Sequence, residues 1–128
     1  MILGFDEDTY ELTDLEEKMI PLFVRGFSSK LGKINSITNR EIVAKMKKYH
    51  PFLTEARVRK IINYIRKKNL VPGLIASSSG YYVTRDPREI ERYIVSLSGR
   101  IKEIERIRES FYEFLEKVQS KPVSSQFK

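Results

Sequence analysis

The pattern Thr-x-x-Glu occurs twice in the first half of the chain, from Thr13 to Glu16 and from Thr38 to Glu41. At a helix start, the threonine hydroxyl and the glutamate carboxylate can each accept a hydrogen bond from a backbone amide that the helix itself leaves unpaired. A third threonine, Thr54, is placed to cap a helix that runs to Asn69. These helix starts predict three short helices in succession, and a small core has to bury the apolar stripe of each.

A proline affects each of the first two predicted helices. The first runs to about Ser28, and Pro21 should kink it by removing one interior hydrogen bond. The second is about three turns long, because Pro51 disfavours helical geometry at His50. The link between them, residues 33–37, is predicted to be a short extended connector. Four residues of the first helix fall at spacings of four and are expected to share its buried face: Leu15, Met19, Phe23 and Phe27.

A hairpin and a long helix are predicted to follow the third helix. Two short apolar runs, 74–77 and 81–84, flank the loop Ser78-Ser79-Gly80, which is typical of a β-hairpin. Pro87 is well placed to begin a helix that extends to about Val118. The predicted fold is mainly α with a small β-hairpin: a winged helix-turn-helix domain over 10–85, a long C-terminal helix over 86–118 and a flexible tail over 119–128.

The third helix has two chemically different faces. Its apolar residues recur at i, i+3, i+4 and i+7 and predict a buried face: Val58, Ile61, Ile62 and Ile65. The opposite side is predicted to be exposed and carries basic and amide side chains: Ala56, Lys60, Asn63 and Lys67, flanked by Arg59 and Tyr64. Between Thr54 and Asn69 there are six basic residues and a single acid, Glu55. A charged face that serves solubility alone usually mixes signs, so this one favours a polyanionic partner.

Double-stranded DNA is the partner that these side chains suit. A helix fits the major groove, where arginine and lysine read guanine or neutralise phosphate and asparagine reads adenine. The predicted base-facing residues are Ala56, Arg59, Lys60 and Asn63. The predicted set is completed by Arg57 and Tyr64, by Arg66 and Lys67 at phosphates near the helix end, and by Arg40 and Lys45 on the second helix. The serine-rich hairpin loop carries no arginine or lysine, so a plain turn is expected there.

The segments ITNREIVAKM and ARVRKIINYIRKKNLVPGLIASSSGYYVTRDPREIERYIVSLSGRI resemble small winged-helix proteins encoded by bacteriophages and prophages. The resemblance covers roughly residues 10–105. It implies a winged-helix fold and association with DNA, as in a phage regulator or replication factor. Winged proteins of phages also include host-directed adaptors, so a protein-interaction adaptor without direct DNA binding is the alternative function.

The long helix carries a heptad pattern, and therefore a homodimer is expected. Its apolar residues alternate spacings of four and three with one basic interruption: Ile90, Ile94, Leu97, Ile101, Ile104, Arg108, Phe111, Leu115 and Val118. A parallel pair would let Arg100 reach Glu105 of its partner. Tyr93, Ile107 and Phe114 widen the apolar stripe of this helix. Two alternatives therefore remain: an antiparallel pair, or packing of the long helix on the first helix of the same chain.

Composition limits the remaining functions. The net charge of +7 is compatible with nucleic acid, and the absence of cysteine excludes disulfides and thiolate metal sites. A single histidine, His50, without cysteine or a second histidine, predicts neither a metal site nor a catalytic triad, and no phosphate-binding glycine motif occurs. The sequence therefore predicts a non-enzymatic protein without cofactor or small-molecule substrate. With no membrane span and an acidic N-terminus, it is expected in the cytoplasm, that of the host if phage-encoded.

Overall fold

The computed structural model describes residues 11–120 of the chain. These residues are mainly helical, with one small antiparallel sheet and a long C-terminal helix, as the sequence predicted. In chain order the elements are α1 (Asp14–Phe27), α2 (Asn39–Met46), α3 (Glu55–Lys67), β1 (Leu74–Ser77), β2 (Gly80–Val83) and α4 (Pro87–Ser120). A single 3-10 turn, Lys33–Asn35, lies between α1 and α2.

The predicted caps form at the starts of α1, α2 and α3. At α1, the Thr13 hydroxyl accepts from the Glu16 N–H at 3.3 Å, and the Glu16 carboxylate accepts from the Thr13 N–H at 2.8 Å. The same reciprocal pair joins Thr38 and Glu41 at the start of α2. The hydrogen bonds from Thr38 lower the pKa of Glu41. Thr54 caps α3 as predicted, so local side-chain chemistry defines where each of these short helices begins.

The connector between α1 and α2 attaches to the hairpin rather than running free. The Gly32 N–H donates to the Val83 carbonyl at 2.8 Å, and Ile37 and Tyr81 exchange backbone hydrogen bonds of 2.9 and 2.8 Å. Between these two contacts the chain makes the 3-10 turn, where the sequence predicted extended backbone throughout. The hairpin is therefore fixed to the helical part of the domain through the outer edge of β2.

Gly80 makes this attachment sterically possible. It begins β2 with φ of +116°, a backbone conformation that residues with a side chain rarely adopt. A Cβ at this position would lie 2.5 Å from the Ile37 carbonyl oxygen. The hairpin turn and the connector can therefore approach this closely only because residue 80 has no side chain.

The core is built around α3. Its four predicted apolar residues, Val58, Ile61, Ile62 and Ile65, have no exposed surface. Around them pack side chains from α1, α2, both strands and the connecting loops: Met19, Phe23, Phe27, Ile37, Ile42, Leu53, Leu74 and Tyr81. One expectation for α1 was wrong, because Leu15 is 53% exposed and Glu16 lies on the buried face instead. The step from Glu16 to Met19 is three residues, so Glu16 continues the stripe of Phe23 and Phe27.

The chain divides into two compact units, Met1–Asp86 and Pro87–Lys128. The second contains α4, which is continuous to Ser120, so Gln119 and Ser120 are helical where the sequence predicted a tail. The rest of that predicted tail, 121–128, and the acidic segment 1–10 lie outside the described residues. Among the described helices, none is both long and apolar enough to cross a membrane.

Candidate nucleic-acid interface

Half of the residues predicted to contact DNA lie together on one side of α3. At 100° per residue, these five positions fall within about 100° of arc, centred opposite the space between Ile61 and Ile65. Lys67 is exposed and the other four are partly exposed. We call this set the α3 face: Ala56, Arg59, Asn63, Arg66 and Lys67. It presents three cations and one amide, and its only apolar member is the small Ala56.

Lys60 does not belong to this face, and its predicted exposure was wrong. The side chain is 10% exposed, and its ammonium donates to the Glu16 carboxylate of α1 at 2.9 Å. Its Cβ does point away from Ile61 and Ile65, as the helical phase requires. However, α1 packs along this flank of α3, and the four-carbon lysine stem lets the charge end beneath α1 rather than in solvent.

Glu16 is the group that holds Lys60 in place. It is 2% exposed and accepts from both the Thr13 N–H and the Lys60 ammonium. Burial raises the pKa of Glu16, but the hydrogen bonds from Thr13 and the hydrogen bond and charge of Lys60 together lower it below its ordinary value. This ion pair thus connects α1 to α3, and Lys60 is not available to contact DNA as the sequence predicted.

Arg57 and Tyr64 form a second stripe, about 100–120° around the helix from Asn63. Arg57 lies over the Phe52 ring at 5.6 Å, and Lys68 lies over the Tyr64 ring at 6.0 Å. Such contacts orient a cation along the protein surface. These two predicted residues are therefore not brought together with the α3 face.

The two predicted residues of α2 are also separated. Arg40 and Lys45 are both exposed, but five helical positions place them about 140° apart around α2. Lys45 lies on the side that lines an apolar cleft of about 250 Å³ between α1 and α2, together with Phe23 and Ile42. Arg40 points away from Ile42. If α2 lies across the sugar-phosphate backbone of DNA, Arg40 and Lys45 therefore point in different directions and cannot both contact the same phosphates.

The Ser77 side chain forms hydrogen bonds across the hairpin loop. The Ser77 hydroxyl donates to the Gly80 carbonyl at 2.9 Å and accepts from the Ser79 N–H at 3.2 Å. Ser78 and Ser79 form the two-residue loop that connects β1 to β2, beyond the last strand pair, Ser77 and Gly80. The loop has the form of a plain turn with small exposed side chains.

The heptad stripe of α4 faces solvent over most of its length. Ile94, Ile101, Ile104 and Phe111 are between 56% and 69% exposed, and no residue of α4 is buried. Arg108, the basic interruption, approaches Glu105 of its own helix at 4.0 Å. We call the nine heptad positions from Ile90 to Val118 the α4 seam. In the described chain the seam is an uncovered apolar surface.

In residues 11–120, no group of three or more histidine, aspartate or glutamate side chains could hold a metal ion. Comparison with protein-family models, with curated proteins and with solved structures gave no match.

Proposed function

We propose that the chain is a winged helix-turn-helix protein that binds double-stranded DNA through the α3 face, acting as a dimer in regulation or replication. The observation that carries this proposal is the α3 face itself. Arg59 and Asn63 occupy neighbouring turns on the side opposite the buried isoleucines, and Arg66 and Lys67 follow at the end of the helix. This order places base-reading side chains along the helix and phosphate-binding ones at its end.

The arrangement around α3 supports the same proposal. Three short helices precede a hairpin, and the connector pairs with β2, which is the element order of a winged domain. The short plain hairpin turn leaves base reading to α3. Asn63 is the residue best suited to a bidentate contact with adenine, and Arg59 to one with guanine.

Dimerisation through the α4 seam completes the proposal. A contiguous apolar stripe of this length is unusual on the surface of a monomer, and its heptad spacing is suited to another helix. Joining two DNA-binding units makes the second contact intramolecular and raises the effective affinity without a new contact on DNA.

Fluorescence anisotropy with labelled duplex DNA tests the proposal. Arg59→Glu should weaken binding by at least about 10-fold, because it replaces a groove-facing cation with an anion. Lys18→Glu makes the same change of charge at an exposed position of α1 and serves as the matched control. Asn63→Ala, which leaves net charge unchanged, should weaken binding to a preferred sequence more than to random duplex.

If Arg59→Glu and Lys18→Glu weaken binding equally, the α3 face is not the interface and general charge explains the attraction. If the folded wild-type protein does not bind duplex DNA even at low salt, the proposal is wrong. That result would favour the protein-interaction adaptor.

A further inference from the structure

We propose that two copies of the chain pair their α4 helices in antiparallel orientation, so that the two DNA-binding units are attached at opposite ends of the paired helices. This inference rests on the proposed dimer, whose orientation the function itself leaves open. It follows from three features of α4: the position of Arg108 in the seam, the different chemistry of the seam's two flanks, and the length over which the seam can be covered.

Arg108 is the first argument against a parallel pair. In a parallel coiled coil each seam residue meets its own copy, so Arg108 would face the partner's Arg108 inside the apolar interface. Two guanidinium groups would be desolvated together, with no acid at a seam position to compensate. In an antiparallel pair the residue opposite Arg108 is Leu97. Each Arg108 can then extend along the interface toward solvent while keeping its own Glu105 nearby.

The flanks of the seam give the second argument. The flank just before the Ile94, Ile101, Arg108 and Leu115 column is mostly apolar and carries Tyr93, Arg100, Ile107 and Phe114. The opposite flank is mostly polar and carries Glu91, Ser98, Glu105 and Tyr112. A parallel pair would place each apolar flank against a polar one. An antiparallel pair places like against like, so that Tyr93 meets Phe114, and forgoes only the exposed Arg100–Glu105 ion pair, which contributes little.

The area available is sufficient for a stable pair. In the register that sets Ile94 opposite Phe111 and Ile101 opposite Ile104, each seam residue from Ile90 to Leu115 lies opposite another seam residue, and Val118 lies opposite Pro87 of the second copy. About ten large apolar side chains of the seam and its apolar flank would then be covered, at roughly 60–120 Å² each. The sum is on the order of the 800 Å² per chain found in standard protein interfaces.

This register separates the two attachment points. Pro87 of one chain and Pro87 of the other lie about 46 Å apart along the helix axis, at a rise of 1.5 Å per residue. A parallel pair would hold them side by side. The two DNA-binding units are thus spaced for sites more than one helical turn of DNA apart, or for two separate duplexes.

Distance measurement between spin labels tests the orientation, and the absence of native cysteine allows a label at a single engineered cysteine. Arg92, Arg106 and Glu113 occupy equivalent outward positions of the heptad, away from the seam, so Arg92→Cys, Arg106→Cys and Glu113→Cys leave the interface intact. In the antiparallel register the axial separations are about 32 Å for residues 92 and 113 and about 10 Å for residue 106. The expected result is a clearly shorter label distance at 106 than at the other two positions.

Equal distances at all three positions would overturn the inference and establish a parallel pair. Loss of dipolar coupling at all three, with a monomeric mass, would overturn both the orientation and the dimer. The spin-label distances and the molecular mass are measured without DNA. The anisotropy experiment therefore tests the DNA-binding proposal separately.

Discussion

Replacing Lys60 by methionine tests the buried contact that the structure places between α1 and α3. Lys60→Met keeps the length of the side chain and removes the ammonium, which leaves the Glu16 carboxylate with Thr13 as its hydrogen-bond partner but with no cation beside it. Because Glu16 is 2% exposed, water cannot replace the missing charge. Removing one partner of a buried ion pair typically costs about 3–5 kcal/mol.

That loss is large for a unit of this size. At about 0.05–0.15 kcal/mol per residue, the unit Met1–Asp86 has a free energy of unfolding of roughly 4–13 kcal/mol. Urea denaturation followed by tyrosine fluorescence, at one fixed protein concentration, measures the change. Lys67→Met removes an exposed cation from the same helix and should change stability by less than about 0.5 kcal/mol. Glu16→Gln combined with Lys60→Met should recover much of the loss, because no unpaired charge remains.

The pH dependence has a defined sign. Because the folded-state pKa of Glu16 is lowered, the pair stabilises the protein above the unfolded-state pKa, and this contribution is lost as pH falls through the folded-state value. Lys60→Met removes the hydrogen bond and the charge that lower the pKa of Glu16, while burial still raises this pKa. The stability deficit of the variant should therefore shrink as the pH falls from neutral toward the lowered folded-state pKa of Glu16 in the wild type. A deficit below 1 kcal/mol at neutral pH would show that the pair does not form and refute the reasoning.

Two further predictions concern the hairpin and the dimer. Gly80→Ala should destabilise the domain by about 2–4 kcal/mol in the same denaturation assay, since it combines a positive φ with a clash at Ile37, whereas Gly26→Ala, with open space around it, should be neutral or slightly stabilising. Comparable effects of the two substitutions would contradict the close approach of connector and hairpin. Leu97→Asp with Ile104→Asp should convert the dimer to a monomer of about 15.1 kDa by light scattering, while Arg92→Asp with Arg106→Asp should remain dimeric. A wild-type mass near 15.1 kDa at micromolar concentration would exclude the dimer.

Helix starts and the core of α3 were predictable because both are local properties of the chain. A threonine and a glutamate three residues apart satisfy each other's backbone amides whatever the rest of the fold does. The four apolar residues of α3 could likewise be assigned to one face from spacing alone. The order of elements followed directly, and the structure confirms it.

The positions of Lys60 and Glu16 could not be derived in the same way. Helical phase gives the direction of a Cβ, but burial also depends on which neighbouring helix lies beside it, and the packing of α1 along that flank is a tertiary property. A sequence signal did exist, since Glu16 continues the stripe of Met19, Phe23 and Phe27 at helical spacing. The apolar Leu15 was predicted to be buried instead, because it lies four residues before Met19. The bridges between the connector and β2 were missed for a related reason, because backbone pairing between distant residues leaves little trace in side-chain pattern.

The salt dependence of DNA affinity tests the central claim most directly. If the α3 face binds duplex DNA, the logarithm of the association constant should fall linearly with the logarithm of salt concentration, by about 0.9 for each phosphate contact. Lys67→Ala should make that slope shallower by about 1, whereas Lys18→Ala, which removes a cation from α1, should leave it unchanged. Identical slopes for the two variants, or a folded wild-type protein that does not bind duplex DNA at low salt, would contradict the assignment of the α3 face.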